Sequence, residues 1–381
     1  MGLSVSWKLL TGLLIPKVRS NPAFEAFYTL PQIFQYLFDK KVGIAAAIIS
    51  FVGYLGFTSS QLLAGAKLAS GTFPTLDLNM ALLIMGVIAV VYTVLGGLKA
   101  VIYTDTIQWI VLMAGFIFIG LPISYFHVGG WEAIKSTLPN EYFSLTNLSW
   151  QDFANWGITI LPIWFDGMTL YHTIFASSDV KSAKKAWFIA GLFEWPIMAF
   201  MGVSLGLLAK VAFEQGLIVE SVETLDPEMG LPILLSTVLP PGIMGLMMSA
   251  YFSAVLSTAD SCLMAASGNL TTDIFGKLLK TKEDKFVMRI SQLFTLLIGV
   301  VALVIALQMT NVLELMLYSY AFMVSGLFVP IIAGLFWNMR SPKAALASMI
   351  IGGGTTAVLS LLNLTMPFGL DPKFFGVFAS L

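Results

Sequence analysis

The chain has 381 residues, of which 57% are hydrophobic and only 11% are charged, and its formal net charge is −1. Soluble domains carry about 25% charged residues, so this composition excludes an ordinary cytosolic enzyme and indicates a polytopic membrane protein. The near balance of basic and acidic residues gives no nucleic-acid footprint, and the single cysteine, Cys262, excludes an intrachain disulfide and a cysteine-based metal site.

Apolar stretches define the expected elements. The segment from Leu3 to Pro16 is too short to cross a bilayer, so it predicts only a partial helix. Nine longer stretches each predict a full transmembrane helix, and residues 1–381 together are interpreted as one transmembrane domain, with 372–381 resembling the opening of another span. The nine stretches are 42–66, 78–98, 100–125, 154–176, 186–209, 241–267, 288–308, 312–337 and 343–364.

The basic residues predict the orientation. With the segment after Pro16 placed inside, 15 basic residues fall in inside loops and four in outside segments. This bias follows the positive-inside rule and predicts a multi-pass protein of the inner or plasma membrane. The outside loop 210–240 carries an acidic group: Glu214, Glu220, Glu223, Asp226 and Glu228.

Four carboxylates remain at membrane depth: Asp105, Asp166, Glu194 and Asp260. Charged groups in a bilayer are costly and commonly mark ion or solute pathways, which suggests that Asp105 is a cation ligand or proton carrier near the inner vestibule. The alternative for each is a helix-end residue that reaches the headgroups, or a bond to a neighbouring helix. For Glu194, beside Pro196, the interhelical bond is the favoured interpretation.

Asp260 belongs to the densest polar cluster of any span. Helical spacing of three and four residues places Ser257, Asp260 and Ser261 on one face. A carbonyl freed near Ala254, with the hydroxyls of Ser257 and Thr258, offers uncharged oxygens to a hard monovalent cation. The competing interpretation is that these small hydroxyl residues only pack closely against neighbouring helices.

The span 154–176 contains internal helix breakers. Gly157 and Pro162 precede the run Trp164-Phe165-Asp166-Gly167. Glycine and proline beside a carboxylate at membrane depth predict a broken helix that exposes backbone dipoles at a binding site. A plain kink is the alternative.

Several segments resemble signatures of the sodium/solute symporter family. Gly96–Gln108 is similar to the pattern G-G-x-x-A-V-x-x-T-D-x-x-Q, and the run Ser257–Ser261 followed by Thr272–Phe275 resembles the eighth core helix. Thr29–Pro31 resembles a T-L-P-E motif in which Gln32 replaces the usual glutamate. The resemblance covers essentially the whole chain.

The resemblance implies an all-α, LeuT-like membrane fold of two inverted five-helix repeats, each beginning with a broken helix. The chain matches core helices 2 to 10 plus one following helix, so we expect a fragment that lacks the first core helix. His172-Thr173 stands where family members usually carry Gln-Arg.

The resemblance also implies the site residues. A first sodium site is expected at the carbonyl of Ala254 and the hydroxyls of Ser257 and Thr258. A second site, for a cation or a proton, is expected at Asp105, Ser257, Asp260 and Ser261. The solute is expected to contact Asp166, Gly167 and Thr169.

The function implied is sodium-coupled symport of a small polar organic solute such as a sugar, an amino acid or an organic acid. No enzyme activity is expected, and no cofactor apart from Na⁺ as coupling ion. The expected partners are the solute, Na⁺ and the lipid bilayer, without nucleic acid or an obligate protein partner. The alternatives are a symporter-like sensory input domain and a truncated remnant that does not transport.

Overall fold

A computed structural model describes most of the chain. It covers residues 10–144, 146–193, 197–218, 226–276, 283–362 and 366–381, with side chains except at 10–11 and 97–105. Within these ranges the ordered elements are helices, and no strand is found. The predicted all-α class is therefore confirmed for the described residues.

The helices are numbered here in chain order. A π-helical turn, Leu10–Leu14, leads into α1 (Ile15–Arg19), and another, Phe116–Gly120, joins α4 to α5. The next helices are α2 (Leu30–Leu37), α3 (Lys40–Thr72), α4 (Leu78–Gly115), α5 (Leu121–His127), α6 (Gly130–Thr137), α7 (Trp150–Asp166) and α8 (Met168–Ala176). They are followed by α9 (Val180–Phe193), α10 (Ala199–Glu214), α11 (Gly230–Val238), α12 (Pro241–Gly268), α13 (Asp284–Ala306), α14 (Val312–Phe336), α15 (Pro342–Leu361) and α16 (Pro372–Ala379).

Seven described helical stretches are long and apolar enough to cross a membrane: Lys40–Thr72, Leu78–Gly96, Thr106–His127, Pro241–Ile274, Asp284–Ala306, Val312–Phe336 and Pro342–Leu361. They correspond to seven of the nine predicted spans. The predicted span 154–176 is divided at Gly167 into α7 and α8, each too short to count alone. The predicted span 186–209 falls on α9 and α10, and residues 194–196 between them, including Glu194, lie outside the described residues.

The backbone from Leu78 to Gly115 forms one helix, α4, where the sequence predicted two helices that separate at Lys99. Two physical facts fit this continuity. The sequence has no proline between Pro74 and Pro122, and an interior glycine costs a helix only about 1 kcal/mol.

Helix α3 occupies the centre of the fold. It packs against α4, α12, α13, α14 and α15. Glycines allow this close packing, because the side chain of Met323 lies where a Cβ of Gly53 would be, and Ser319 takes the same position at Gly56. Residues of α3, α12 and α14 belong to one shared hydrophobic core.

The N-terminal segment is tied to the end of the broken helix. The guanidinium of Arg19 donates hydrogen bonds to the carbonyl oxygens of Ser177, at 2.9 Å, and Ser178, at 3.1 Å. These carbonyls follow the last turn of α8, where backbone acceptors are left without intrahelical donors. Arg19 thus links α1 to α8 on the face predicted to be cytoplasmic.

Candidate sodium and solute site

A cavity of about 550 Å³ lies among α3, α7, α8, α9, α12 and α14. Two polar groups line it: Ser257, Thr258 and Ser261 of α12, and Gly167 and Thr169 at the break between α7 and α8. The remaining lining residues are mostly apolar or aromatic: Tyr54, Phe57, Ile163, Trp164, Leu170, Thr173, Ala186, Trp187, Ala190, Cys262 and Tyr320.

The broken helix predicted at Gly167 is present. Gly167 has an extended backbone conformation with φ −72° and ψ 112°, so α7 ends at Asp166 and α8 begins at Met168. Tyrosine hydroxyls satisfy two of the backbone groups near the break. The Tyr171 hydroxyl donates to the carbonyl of Phe165 at 2.7 Å, and the amide of Thr169 donates to the Tyr54 hydroxyl at 3.1 Å.

The break is therefore built into the fold and is more than a bend. An unsatisfied backbone group at membrane depth costs several kcal/mol, so a break persists only where partners replace the lost helical bonds. Tyr54 and Tyr171 were not predicted from the sequence to be these partners. The sequence offers little to identify them, because a tyrosine whose hydroxyl bonds the backbone cannot be distinguished in an apolar span from one that only packs.

The residues expected to form the first sodium site lie together. Ser257 and Thr258 both line the cavity, and the Thr258 hydroxyl donates to the carbonyl of Ala254 at 3.2 Å. The carbonyl oxygen and the hydroxyl oxygen are thus neighbours on one side of α12. A hard cation requires such a group of oxygens in place of its water shell.

The residues expected to form the second site are divided. Ser257 and Ser261 line the cavity, whereas Asp260 is only 1% exposed and contacts Thr93 of α4. The cavity wall therefore includes the two serines, whereas Asp260 is directed to a neighbouring helix. Asp105 lies in α4, but its side chain is outside the described residues.

The contact of Asp260 has an informative geometry. The Thr93 hydroxyl oxygen lies 2.5 Å from Oδ1 of Asp260 and 2.8 Å from the carbonyl oxygen of Ala89. A hydroxyl has one proton and donates once. A protonated Asp260 carboxyl that donates to Thr93 would satisfy both contacts, whereas an ionised carboxylate would have to share the single Thr93 proton with the carbonyl of Ala89.

Asp166, expected to contact solute, is fully buried and is absent from the cavity lining. Neither of its carboxylate oxygens has a hydrogen-bond partner among the described residues. Gly167 and Thr169, the other two residues expected to contact solute, do line the cavity. Asp166 is therefore beside the site and not on its surface in this conformation.

Two pairs of aromatic side chains form part of the cavity wall. The rings of Phe57 in α3 and Tyr320 in α14 stack with centroids 4.9 Å apart, and Trp164 and Trp187 meet edge to face at 6.0 Å. Neither Phe57 nor Tyr320 was predicted from the sequence to line the site. Their pairing joins α3 to α14 across the cavity.

The motif at Thr29 contacts the motif at Asp273, 244 residues later in the chain. The Thr29 hydroxyl donates to Oδ1 of Asp273 at 2.7 Å. Oε1 of Gln32 accepts hydrogen bonds from the amides of Tyr28, at 2.7 Å, and Thr29, at 3.2 Å. Only an acceptor oxygen is needed at this position, which explains physically why glutamine can replace the usual glutamate.

A helical membrane fold with a broken helix beside a cavity that carries a few hydroxyl groups is typical of multi-pass membrane transporters. The chain belongs to the sodium:solute symporter family, whose sequence profile matches residues 1–352. This confirms the resemblance inferred from the motifs. It also supports a transporter in place of an enzyme, and it does not favour the sensory alternative.

The relatives are carriers of several solutes. "Osmoregulated proline transporter OpuE" of Bacillus subtilis (strain 168) is 26% identical over 371 residues, covering 94% of this chain and 73% of that protein. "Sodium/pantothenate symporter" of Haemophilus influenzae is 26% identical over 352 residues, covering 89% and 70%. "Sodium/glucose cotransporter 1" of Oryctolagus cuniculus is 24% identical over 372 residues, covering 85% of this chain and 55% of that protein.

A solved structure shares the fold. It is titled "Substrate-bound outward-open state of a Na+-coupled sialic acid symporter reveals a novel Na+-site" and matches with a TM-score of 0.77 at 20% identity. The match covers 100% of this chain and 80% of that one. The predicted LeuT-like fold is thus confirmed.

Proposed function

We propose that this protein couples the downhill movement of Na⁺ to the transport of a small polar organic solute through the cavity between α3, α8 and α12. One observation carries the proposal. Ser257 and Thr258, expected to bind sodium, and Gly167 and Thr169, expected to bind solute, line the same cavity. Binding of one ligand therefore changes the surroundings of the other, which is the requirement for coupled transport.

The first sodium site is proposed at the carbonyl of Ala254 and the hydroxyls of Ser257 and Thr258. The Thr258 hydroxyl now donates to that carbonyl. On sodium binding the hydroxyl proton rotates away, so that both oxygens present lone pairs to the ion. Bound Na⁺ would then hold this turn of α12 in one geometry and fix the cavity wall that the solute meets.

A second site, for Na⁺ or a proton, is proposed at Asp105, Ser257, Asp260 and Ser261. The contact of Asp260 with Thr93 supports a role for a proton there, because a carboxyl that donates to Thr93 leaves the hydroxyl proton free for the carbonyl of Ala89. The proposed transporter uses Na⁺ as its coupling ion and requires neither another cofactor nor an obligate protein partner.

The solute is proposed to be neutral overall. None of the cavity-lining residues that the structure describes is charged, and the wall combines threonine hydroxyls with the faces of Phe57 and Tyr320. Such a wall suits a sugar, a zwitterionic amino acid or another small polar molecule. Asp166 would contact solute or ion only after α7 and α8 move relative to each other, since it is now fully buried.

The test is uptake of labelled proline, glucose and pantothenate into proteoliposomes, with and without an inward sodium gradient. Ser257→Ala and Thr258→Ala should each raise the sodium concentration for half-maximal uptake about tenfold, which corresponds to ~1.4 kcal/mol for one lost oxygen ligand. Ser249→Ala is the matched control, because Ser249 lies on the same helix with an exposed hydroxyl bonded to Gly245. Unchanged sodium dependence in both test variants would contradict the proposed site.

A further inference from the structure

A buried lysine joins three elements on the face predicted to be extracytoplasmic. Lys67, near the end of α3, is only 3% exposed, and its Nζ lies 2.6 Å from a carboxylate oxygen of both Asp226 and Glu228. It also donates to the carbonyl oxygen of Thr310 at 2.5 Å. The ammonium group thus uses carboxylates from the loop before α11 and a carbonyl from the loop before α14.

Glu228 contacts the third element directly. Its two carboxylate oxygens accept hydrogen bonds from the backbone amides of Val312, at 2.9 Å, and Leu313, at 3.0 Å. These are the first amides of α14, where unpaired donors and the helix dipole favour an anion. We name the arrangement of Lys67, Asp226, Glu228 and the first turn of α14 the outer clasp.

The outer clasp holds the same two helices that meet across the cavity. Lys67 follows Phe57 by ten residues on α3, which is about 15 Å along a helix. Val312 precedes Tyr320 by eight residues on α14, about 12 Å. Phe57 and Tyr320 stack at the cavity. The outer clasp therefore holds α3 against α14 at a second point, which lies about 12–15 Å closer to the predicted outer face.

We propose that the outer clasp is the outer gate of this cavity, and that Lys67 is its positioning residue. The inference rests on the proposed transport function. In the closed state, the outer clasp holds α14 against α3 and separates the cavity from the external solution. In the open state, Lys67 releases Glu228, and the start of α14 moves away from α3.

The solvent exposure of the three charged side chains in the outer clasp is consistent with a gate that opens reversibly. The side chains of Asp226 and Glu228 are 31% and 24% exposed, whereas that of Lys67 is 3% exposed. The carboxylates therefore already contact water and regain their hydration easily when the bond opens. Lys67 keeps one carboxylate if only Glu228 leaves, so opening does not strand a bare buried charge, which is the large cost in a broken ion pair.

The chain carries its own reporter for the test. Cys262 is the only cysteine in the sequence, it lines the cavity, and it is 2% exposed. A membrane-impermeant methanethiosulfonate added outside intact cells modifies this thiol only when the cavity opens outward. The modification rate therefore measures the open fraction without any solute or sodium.

We expect Lys67→Met and Glu228→Gln each to raise the external modification rate of Cys262 about tenfold, while Lys67→Arg stays near the wild-type rate. Lys210→Met is the matched control, because Lys210 forms an exposed ion pair with Glu214 that touches neither α3 nor α14. Cys262→Ser gives the background. Glu228→Gln keeps the result interpretable if Lys67→Met does not fold, since Asp226 still pairs with Lys67 in that variant.

If Lys67→Met and Glu228→Gln both leave the external modification rate of Cys262 at the wild-type value, the outer clasp is not a gate. An equal rise in modification from the cytoplasmic side of inverted vesicles also overturns it, because this would show general loosening of the fold. This test is independent of the test of transport, because the reaction of the Cys262 thiol does not require transport. If sodium-dependent uptake is present and the rates are unchanged, only the gate fails.

Discussion

The contact between Thr93 and Asp260 allows a test of the charge state at the proposed second site. Thr93→Val removes the hydroxyl with little change in shape. A hydrogen bond to a charged group contributes about 1.5–3 kcal/mol to stability, and one between neutral groups about 0.5–1.5 kcal/mol. Because Asp260 is 1% exposed, water does not replace the lost partner. The size of the loss therefore reports whether the carboxyl is ionised.

The geometry favours the neutral form, since the Thr93 hydroxyl also contacts the carbonyl of Ala89. We expect Thr93→Val to cost about 0.5–1.5 kcal/mol both in the wild type and in the Asp260→Asn background, because the asparagine amide still donates to Thr93, so that the coupling energy between the two substitutions is near zero. Thermal unfolding of the purified protein in detergent, arranged as a double-mutant cycle, measures this coupling. Thr58→Val is the control, because among the described residues its buried hydroxyl bonds to the Tyr54 carbonyl of its own helix.

A loss well above 2 kcal/mol for Thr93→Val, abolished by Asp260→Asn, would refute the neutral carboxyl. It would show that Asp260 is an anion that needs the donor. A cost near zero for Thr93→Val in both backgrounds would show instead that the contact makes no net contribution. Either outcome would remove the main support for a proton at the second site.

Two further predictions concern packing and pH. Gly352→Ala should lower the unfolding temperature and cost about 1–3 kcal/mol, because its Cβ would collide with the backbone carbonyl of Ser325. Gly354→Ala, with no atom within 4 Å of its Cβ, should be neutral or stabilising. Hydrogen bonds from the backbone and hydroxyl of Ser182 lower the pKa of Asp179 from 3.8 to about 2. Asp179 therefore stabilises the fold above pH 4 and loses this effect as pH falls toward 2, so Asp179→Asn should flatten the unfolding profile over that interval.

The long apolar stretches made the membrane helices predictable. A bilayer requires about 20 apolar residues in each helix, and this requirement acts on the sequence directly. The break at Gly167 was predictable for a related reason, since a carboxylate beside glycine is too costly in a bilayer to occur without cause. The grouping of Ala254, Ser257 and Thr258 followed from helical spacing together with the family motif.

Contacts between distant segments were not predictable in this way. Spacing along α12 placed Asp260 with Ser257 and Ser261, but the position of Thr93 on a neighbouring helix determines where the carboxyl is directed. Lys67 and Glu228 looked like separate charges in outside segments, because nothing local shows that residues 161 positions apart form an ion pair. Such contacts depend on how the helices pack against one another, and the residue pattern within a single helix does not reveal this packing.

The attachment of Arg19 has a consequence for tolerated variation. Its guanidinium bonds to the backbone carbonyls of residues 177 and 178 and to neither serine side chain. Any amino acid at those two positions presents the same oxygens, whereas lysine at position 19 would lack the planar fork that reaches both. In a saturation-mutagenesis experiment, most substitutions at positions 177 and 178 should therefore leave the folded protein intact, whereas nearly all substitutions at position 19 should destabilise it. The side chains of the three residues alone would not suggest this difference.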